Sequence, residues 1–166
     1  GHAVLGGAPF NVAWHLNAFG ERPYFKSAVG NDAPGRQIRA AMLDWGMEVQ
    51  GLDIDPDHPT GVVTITLIDG EPNYDIVAGR AYDHIKPAPS GLTCELLYHG
   101  TLALRGPLSA QALESFKAQG PDTIFLDVNL RAPWWDREQV IALVEGADWV
   151  KLNRDELNLL SGASGH

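Results

Sequence analysis

The chain has 166 residues, 45% hydrophobic and 20% charged, a composition that excludes a disordered tail, a collagen-like repeat and a coiled coil. Its formal net charge of −9 argues against binding to a nucleic-acid backbone or to an anionic membrane surface. Cys94 is the only cysteine, so no internal disulfide can form. Because no apolar run is long enough to cross a bilayer, we expect a cytoplasmic protein without nucleic-acid or membrane partners.

Helix and strand periodicities alternate in the first fifty residues. The spacing predicts a helix over 10–19, ended by Gly20, and a short strand over 24–29. A second helix opens at 31–34, where proline suits the first turn, and ends at Gly46. Its apolar residues recur at i, i+3, i+4 and i+7, which predicts a buried stripe made of Ile38, Ala41, Met42 and Trp45.

The next segment has the pattern of extended structure. Strands are predicted over 49–54, 62–68 and 74–77, and Asp69-Gly70 is typical of a hairpin turn. A hairpin turn joins antiparallel strands, so we expect a small antiparallel block over about 49–77.

The second half alternates strands with helices. Strands are predicted over 96–99, 123–128 and 149–152. The intervening helices begin at Ser109 as an N-cap and at Asp136 with Gln139 in a capping-box arrangement, and a last helix covers 154–160. This order indicates an α/β fold, with a parallel sheet flanked by helices.

Polar residues directly follow each strand of the second half, in segments 99–101, 127–131 and 151–153. Ligands of open α/β sheets bind beyond the carboxyl ends of the strands. We therefore expect these three segments to share one edge of the sheet and to form a site there.

The first candidate motif is the glycine pair that precedes the first helix. Gly6 and Gly7 let the backbone approach a ligand closely, and the amide of Asn11, one turn into the helix, can donate and accept hydrogen bonds as a sugar hydroxyl requires. The alternative is a tight loop in which Asn11 is only a local cap.

The second candidate motif joins Asp127, Asn129 and Arg131. Strand side chains alternate, so these three residues are predicted to share a face. An arginine aimed at a cleft suits a carboxylate, a phosphate or vicinal hydroxyls. The alternative is an Asp–Arg ion pair that closes a loop.

The third candidate motif is Asn153 with Glu156, three residues apart at a helix start. An amide and a carboxylate on one helix face are oxygen donors of the kind that hold Mg²⁺, often through water. The alternative is a capping box, with Asn153 as N-cap and Glu156 as its partner.

Several common catalytic motifs are absent from the sequence. It contains no Gly-Lys dipeptide of a phosphate-binding loop, no G-x-G fingerprint and no G-x-S-x-G elbow. The histidines lack the H-x-x-x-H and H-x-x-H spacings of a transition-metal site.

Taken in order, the motifs strongly resemble those of the ribokinase-like, PfkB-type carbohydrate kinases. The resemblance covers essentially the whole chain, and it is most specific in the first and last motifs. The matching segments are 6–13, the "vGxDxxG" segment 29–35, Thr60-Gly61, the "D-x-N-x-R" segment 127–131 and the "K-x-N-x-x-E" segment 151–156.

The resemblance implies a function and roles for the residues. It implies transfer of a phosphoryl group from ATP to a primary hydroxyl of a small sugar, with Gly6, Gly7, Asn11, Asn129 and Arg131 binding substrate. Asn153 and Glu156 would organise Mg²⁺ and phosphate. The segment of about 49–77 would be the lid over the sugar and the contact of a homodimer.

The sequence also departs from the family pattern. The second signature, similar to D-T-x-G-A-G-D, supplies the family's catalytic base and is absent from the 166 residues. The family's opening strand and ATP-binding half are absent as well. We therefore interpret 1–166 as a partial ribokinase-like domain that lacks its catalytic base, and the catalytic residue is unknown.

The substrate class remains open between related sugars. The stretch 73–83 lacks the Tyr/Arg pair typical of ketodeoxygluconate kinases, with Tyr74 in the strand and Arg80 displaced toward the next loop. The residues at 8–11 and 129–131 are more similar to those of fructokinases, which favours fructose or a similar hexose as the substrate. The alternatives are a non-catalytic sugar-binding or dimerising module derived from this fold, and a nucleoside kinase.

Overall fold

The computed structural model describes residues 4–68 and 71–162. The chain divides into two compact units, Gly1–Lys86 and Pro87–His166, which are described separately below. The predicted Asp69-Gly70 turn lies outside the described residues. Within the described ranges, no helix is long and apolar enough to cross a membrane.

The first unit contains two helices before its hairpin, and both were predicted from the apolar spacing. The predicted buried stripe of the second helix is wrong at Trp45, which is 45% exposed just beyond the end of the helix, whereas Met42 is buried. Its elements in chain order are α1 (Ala8–Ala18), β1 (Ser27–Gly30), α2 (Ala33–Asp44), β2 (Leu52–Asp55), β3 (Val63–Ile68), β4 (Glu71–Ile76) and a 3₁₀ helix (Ala81–Asp83). One apolar cluster forms its core, made of Phe10, Ala13, Val29, Met42, Met47 and Leu52.

Strand β2 differs from the prediction in its pairing. It pairs in parallel with β1, with Ser27 opposite Leu52 and Gly30 opposite Asp55. The antiparallel pairing is that of β3 with β4, from Val63 opposite Ile76 onward. The antiparallel block therefore begins at Val63 and not at about 49, because β2 belongs to a βαβ unit with α2 as its crossover.

Asp32 joins three separate pieces of the first unit. Its side chain caps α2 by accepting the N–H of Gly35 at 2.8 Å, and it accepts the N–H of Thr60 at 2.8 Å. The Thr60 hydroxyl in turn accepts the N–H of Gly30 at 2.9 Å. A Cβ at Gly35 would overlap the carbonyl oxygen of Gly30, so this close approach requires glycine. The "vGxDxxG" segment thus fastens the end of β1 to the segment before the hairpin.

The base of the hairpin is closed by contacts between its two ends. The Ala81 N–H, after the hairpin, donates to the Pro59 carbonyl, before it, at 3.0 Å. Within the leaving segment, the Tyr82 hydroxyl donates to the Val77 carbonyl at 2.8 Å. A Cβ at Gly61 would overlap the Tyr82 ring. The segments entering and leaving the hairpin are therefore packed against each other.

The second unit is a three-stranded parallel sheet with helices, as predicted. The strand order is β5-β6-β7, and the core cluster is Leu126, Val128, Leu130, Val140 and Leu160. The elements in chain order are β5 (Leu96–His99), a 3₁₀ helix (Leu102–Arg105), α3 (Pro107–Lys117), β6 (Thr123–Asp127), α4 (Arg137–Glu145), β7 (Trp149–Lys151) and α5 (Arg154–Ser161).

Two helix starts in this unit test the capping predictions. Asp136 caps α4 and accepts the Gln139 N–H at 3.0 Å, which confirms the predicted N-cap and is one of the two bonds of the predicted capping box. The prediction for Ser109 was wrong: α3 begins at Pro107 with Gly106 as its N-cap, and Ser109 is buried inside the helix. Proline at the first helical position fixes a helical φ without losing a hydrogen bond, so it starts the helix before the serine.

Candidate functional site

Three polar segments meet at the carboxyl edge of the second unit's sheet, as the sequence predicted. The Thr101 hydroxyl, after β5, donates to the Val128 carbonyl, after β6, at 2.8 Å. The Val128 N–H donates to the Lys151 carbonyl, at the end of β7, at 2.9 Å. The parallel register of the strands therefore brings all three segments together.

Asp127, the last residue of β6, is buried at this edge. It is 8% exposed, and its carboxylate accepts the Tyr98 hydroxyl at 2.9 Å and the Lys151 ammonium at 2.9 Å. Burial, together with the hydrogen bond to Asp127, raises the pKa of the Tyr98 hydroxyl above its ordinary value. Tyr98 was not among the predicted site residues. Its position near the end of the predicted strand 96–99, directly before the polar segment 99–101, could have indicated it.

The chain leaves strand geometry directly after Asp127. Asn129 adopts a φ of 41°, a left-handed conformation that asparagine tolerates better than most residues. The two-residue alternation therefore stops, and the predicted common face of Asp127, Asn129 and Arg131 does not extend beyond the strand. Val128 and Leu130 are buried in the core, while an Arg131 guanidinium nitrogen donates to the Leu130 carbonyl at 3.0 Å.

Asn153 and Glu156 form a capping box at the start of α5, which is the alternative to a Mg²⁺ site that the sequence left open. The Asn153 side-chain oxygen accepts the Glu156 N–H at 2.9 Å. Glu156 returns the bond by accepting the Asn153 N–H at 2.8 Å. Asn153 is exposed and Glu156 is 6% exposed, so the carboxylate lies beneath the helix start.

Glu156 also binds the segment that follows β6. Its second carboxylate oxygen accepts the Leu130 N–H at 2.8 Å. The "D-x-N-x-R" and "N-x-x-E" motifs are thus joined by one buried side chain. No local pattern predicts this bond, because its partners lie 26 residues apart.

His99 lies at the end of β5 beside these segments. Burial lowers the pKa of its imidazole, with a further lowering from Lys117. Its Nδ1 lies 3.1 Å from the Gly100 carbonyl, which fits a neutral ring that carries its proton on Nδ1.

The glycine motif lies in the first unit. Gly7, with a φ of 120°, is the N-cap of α1, so Asn11 lies inside the first turn and is not the cap. The Asn11 side chain is exposed and lines a shallow pocket of about 310 Å³ with Phe10 and Trp14. Gly6 lies next to it: a Cβ there would be 4.0 Å from the Asn11 side-chain oxygen.

The described residues 4–68 and 71–162 contain no cluster of three or more histidine, cysteine or acidic side chains that could hold a metal ion. Asn153 and Glu156 are one amide and one carboxylate, and each Glu156 oxygen already accepts a main-chain N–H. Each oxygen keeps one lone pair beside that bond, but Glu156 is only 6% exposed, so the pair fits an ion held through water better than one bound directly.

Comparison with known proteins identifies the family of the chain. The pfkB family carbohydrate kinase model matches residues 2–166. Fructokinase-2 of Solanum habrochaites is 28% identical over 96% of this chain and 53% of its own length. The chain thus spans about half the length of the curated relatives that it matches.

Solved structures agree with the family match. The fructokinase of Vibrio cholerae O395, in its fructose, ADP and calcium ion bound form, is 29% identical with a TM-score of 0.81, covering 96% of this chain and 56% of that one. The aminoimidazole riboside kinase of Salmonella enterica is 28% identical with a TM-score of 0.77, covering 96% of this chain and 55% of that one. These neighbours confirm the α/β, ribokinase-like fold with its small antiparallel sheet. The chain belongs to the pfkB family of carbohydrate kinases.

Proposed function

We propose that the protein transfers the γ-phosphoryl group of ATP to a primary hydroxyl of a small sugar, with fructose as the first candidate. The observation that carries the proposal is the bonding of Glu156, which joins two of the family's motifs at the carboxyl edge of a parallel sheet. The fructokinase of Vibrio cholerae, bound to fructose and ADP in its solved structure, supports both the nucleotide and the sugar.

We assign substrate binding to Gly6, Gly7, Asn11, Asn129 and Arg131. In the first unit, the exposed Asn11 amide offers a donor and an acceptor to a sugar hydroxyl. In the second unit, Arg131 lies in the segment that Glu156 holds. A guanidinium there favours binding of vicinal hydroxyls or a phosphate.

We assign the organisation of Mg²⁺ and phosphate to Asn153 and Glu156. When bound, Mg²⁺ would offset the charge of the transferred phosphoryl group. Glu156 would act through water, since its carboxylate is buried beneath the start of α5 and is held there by the N–H groups of Leu130 and Asn153. The exposed amide of Asn153 would orient such a water or a phosphate oxygen.

We place the general base outside these 166 residues, because the sequence contains no D-T-x-G-A-G-D segment. Positioning and electrostatics supply most of the catalysis in phosphoryl transfer. We therefore expect the 166 residues alone to bind sugar without phosphorylating it.

A coupled assay for ADP release on the full-length protein tests the proposal. It uses ATP and Mg²⁺ with fructose, ribose, ketodeoxygluconate, adenosine or aminoimidazole riboside, and a reaction without sugar as the blank. We expect the highest kcat/KM with fructose. No turnover above the blank with any acceptor would overturn the proposal and favour a non-catalytic sugar-binding or dimerising module.

A second candidate function is nucleoside phosphorylation. The similarity to an aminoimidazole riboside kinase, with a TM-score of 0.77, favours this alternative. A higher kcat/KM with the riboside or with adenosine than with fructose would favour nucleoside phosphorylation over sugar phosphorylation.

We also propose a cytoplasmic homodimer that forms through the hairpin lid. Val62, just before β3, and Val63, its first residue, are 51% and 44% exposed, and adjacent exposed apolar residues favour a surface that a second copy covers. Sedimentation of the protein and of a Val63→Lys variant tests this contact, and a monomeric wild-type protein would contradict it.

A further inference from the structure

Tyr98, Asp127 and Lys151 lie on one face of the parallel sheet. The register pairs Tyr98 with Phe125 and Asp127 with Lys151. Since strand side chains alternate, Asp127 projects from the same face as Phe125, two residues earlier, and therefore as Tyr98. The hydroxyl and the ammonium approach different oxygens of the one carboxylate, each at 2.9 Å.

Asp127 is the most buried of the three residues and Lys151 the most exposed, with Tyr98 half-buried. Asp127 is 8% exposed, whereas the side chain of Lys151 is 59% exposed. A buried carboxylate thus holds an ammonium that reaches solvent at the carboxyl edge. Lys151 lies two residues before Asn153, the cap of α5.

The position of Asp127 depends on the tyrosine hydroxyl. A buried carboxylate oxygen without a donor is unfavourable, so the bond from Tyr98 holds one oxygen and turns the other toward Lys151. The Tyr98 ring is itself held by the Phe125 ring, with 5.7 Å between centroids. The hydroxyl therefore has a fixed place independent of the lysine.

We propose that Tyr98 is a positioning residue of the proposed kinase site, which acts through Asp127 to fix the ammonium of Lys151 at the carboxyl edge. A fixed cation at that edge favours the negative charge that builds up during phosphoryl transfer. The catalytic purpose rests on the proposed function. The link from Tyr98 through Asp127 to Lys151 does not depend on the proposed function, because it rests on the two hydrogen bonds to Asp127.

Methyl NMR tests the link without any turnover. Reductive methylation with ¹³C labels each lysine, and the mobility of each methyl signal is measured by relaxation. We expect the Lys151 signal to be restrained in the wild type and to gain the mobility of exposed Lys86 in Tyr98→Phe. Tyr82→Phe, which removes a hydroxyl bonded to the Val77 carbonyl, is the matched control and should leave the Lys151 signal unchanged.

A second variant tests whether Tyr98 acts through Asp127. Asp127→Asn removes the charge that holds Lys151, and we expect it to mobilise the lysine with Tyr98 intact. Adding Tyr98→Phe to it should cause no further change. An unchanged Lys151 signal in Tyr98→Phe, or additive effects in the double variant, would overturn the proposal.

Kinetics separate positioning from a merely structural role. In Tyr98→Phe we expect kcat to fall about tenfold, the loss of one hydrogen bond to a charged group, with the KM for sugar unchanged. An unchanged kcat in an active enzyme would refute the catalytic purpose. If the wild type phosphorylates no acceptor, the proposed function fails, while the methyl signals still decide the link.

Discussion

Glu156 accepts the main-chain N–H of Leu130 at 2.8 Å, although 26 residues separate them. Its other oxygen accepts the N–H of Asn153 at 2.8 Å. One buried carboxylate therefore sets both the path of the chain after β6 and the start of α5.

Glu156→Gln should destabilise the protein and alter its response to Mg²⁺. Glutamine keeps one oxygen, so one of the two N–H groups would face an NH₂ donor, at a cost of about 1–3 kcal/mol. Urea unfolding measures the loss, and kcat measured against Mg²⁺ concentration reports the proposed metal role. Asp155→Asn, at an exposed neighbour in the same turn, is the control. A lower stability with an unaltered Mg²⁺ profile would leave Glu156 as a capping residue alone.

Asn11→Ala should raise the KM for sugar about tenfold or more, the value of one or two lost hydrogen bonds. The side chain is exposed, so the melting temperature should hardly change. Steady-state kinetics against fructose measures the effect. Asn17→Ala, on the same helix as Asn11, removes a bond to the Trp45 carbonyl at the end of α2 and should leave KM unchanged. Equal KM values for wild type and Asn11→Ala would remove Asn11 from the substrate site.

Gly35→Ala should destabilise the first unit by about 2 kcal/mol or more, because its Cβ would overlap the Gly30 carbonyl oxygen. Backbone on both sides must shift to relieve this overlap. Denaturant unfolding gives the change in free energy. Gly146→Ala, whose Cβ would meet its nearest atom at 3.4 Å, should change stability by less than about 0.5 kcal/mol. Similar losses in the two variants would contradict the close approach at Gly35.

The stabilisation that the ionised Asp32 side chain gives the fold should be lost in acid. Burial alone would raise the pKa of its carboxyl, but the hydrogen bonds from Thr60 and Gly35 outweigh burial and hold the pKa below its ordinary value of 3.8. Because the pKa is lower in the folded state, the stabilisation is complete above the unfolded-state pKa and is lost as pH falls through the folded-state value.

Unfolding free energies measured from pH 6 down to about pH 2 test this contribution. Asp32→Asn should be less stable at pH 6 and should lose less stability in acid than the wild type. The unfolding free energy of Asp32→Asn should still fall somewhat in acid, because the pKa of Asp55 is also lowered. Asp57→Asn, at an exposed site, should follow the wild type. Parallel profiles for wild type and Asp32→Asn would refute the role of Asp32.

Local chemistry explains the parts of the fold that the sequence predicted. The strand Leu96–His99 has the predicted bounds, and α4 begins where Asp136 and Gln139 placed it. Each of these depends on residues within one or two turns of chain. The α3 start was missed because Pro107 competes with Ser109 over the same few residues, and the proline prevails.

Pairing between distant segments explains what the sequence did not predict. The parallel partner of β2 is β1, which lies beyond a whole helix, and hydrophobic alternation does not encode a partner. Likewise, the bonds from Tyr98 to Asp127 and from Glu156 to Leu130 join residues 29 and 26 positions apart. The motifs indicated which residues belong to the candidate site, while the packing determined which of them bind one another.

The closed base of the β3–β4 hairpin has a consequence for how such proteins diversify. Because Ala81 bonds to Pro59 and the Tyr82 ring fills the space beside Gly61, both ends are held by residues outside the paired strands. Between these contacts Val63 is exposed and Ile76 is buried, so the strands can change in composition while that anchorage is kept, provided that Ile76 is retained. Replacing residues 63–75 by those of a relative should therefore carry over the surface properties of that hairpin while β1 and α2 keep their structure.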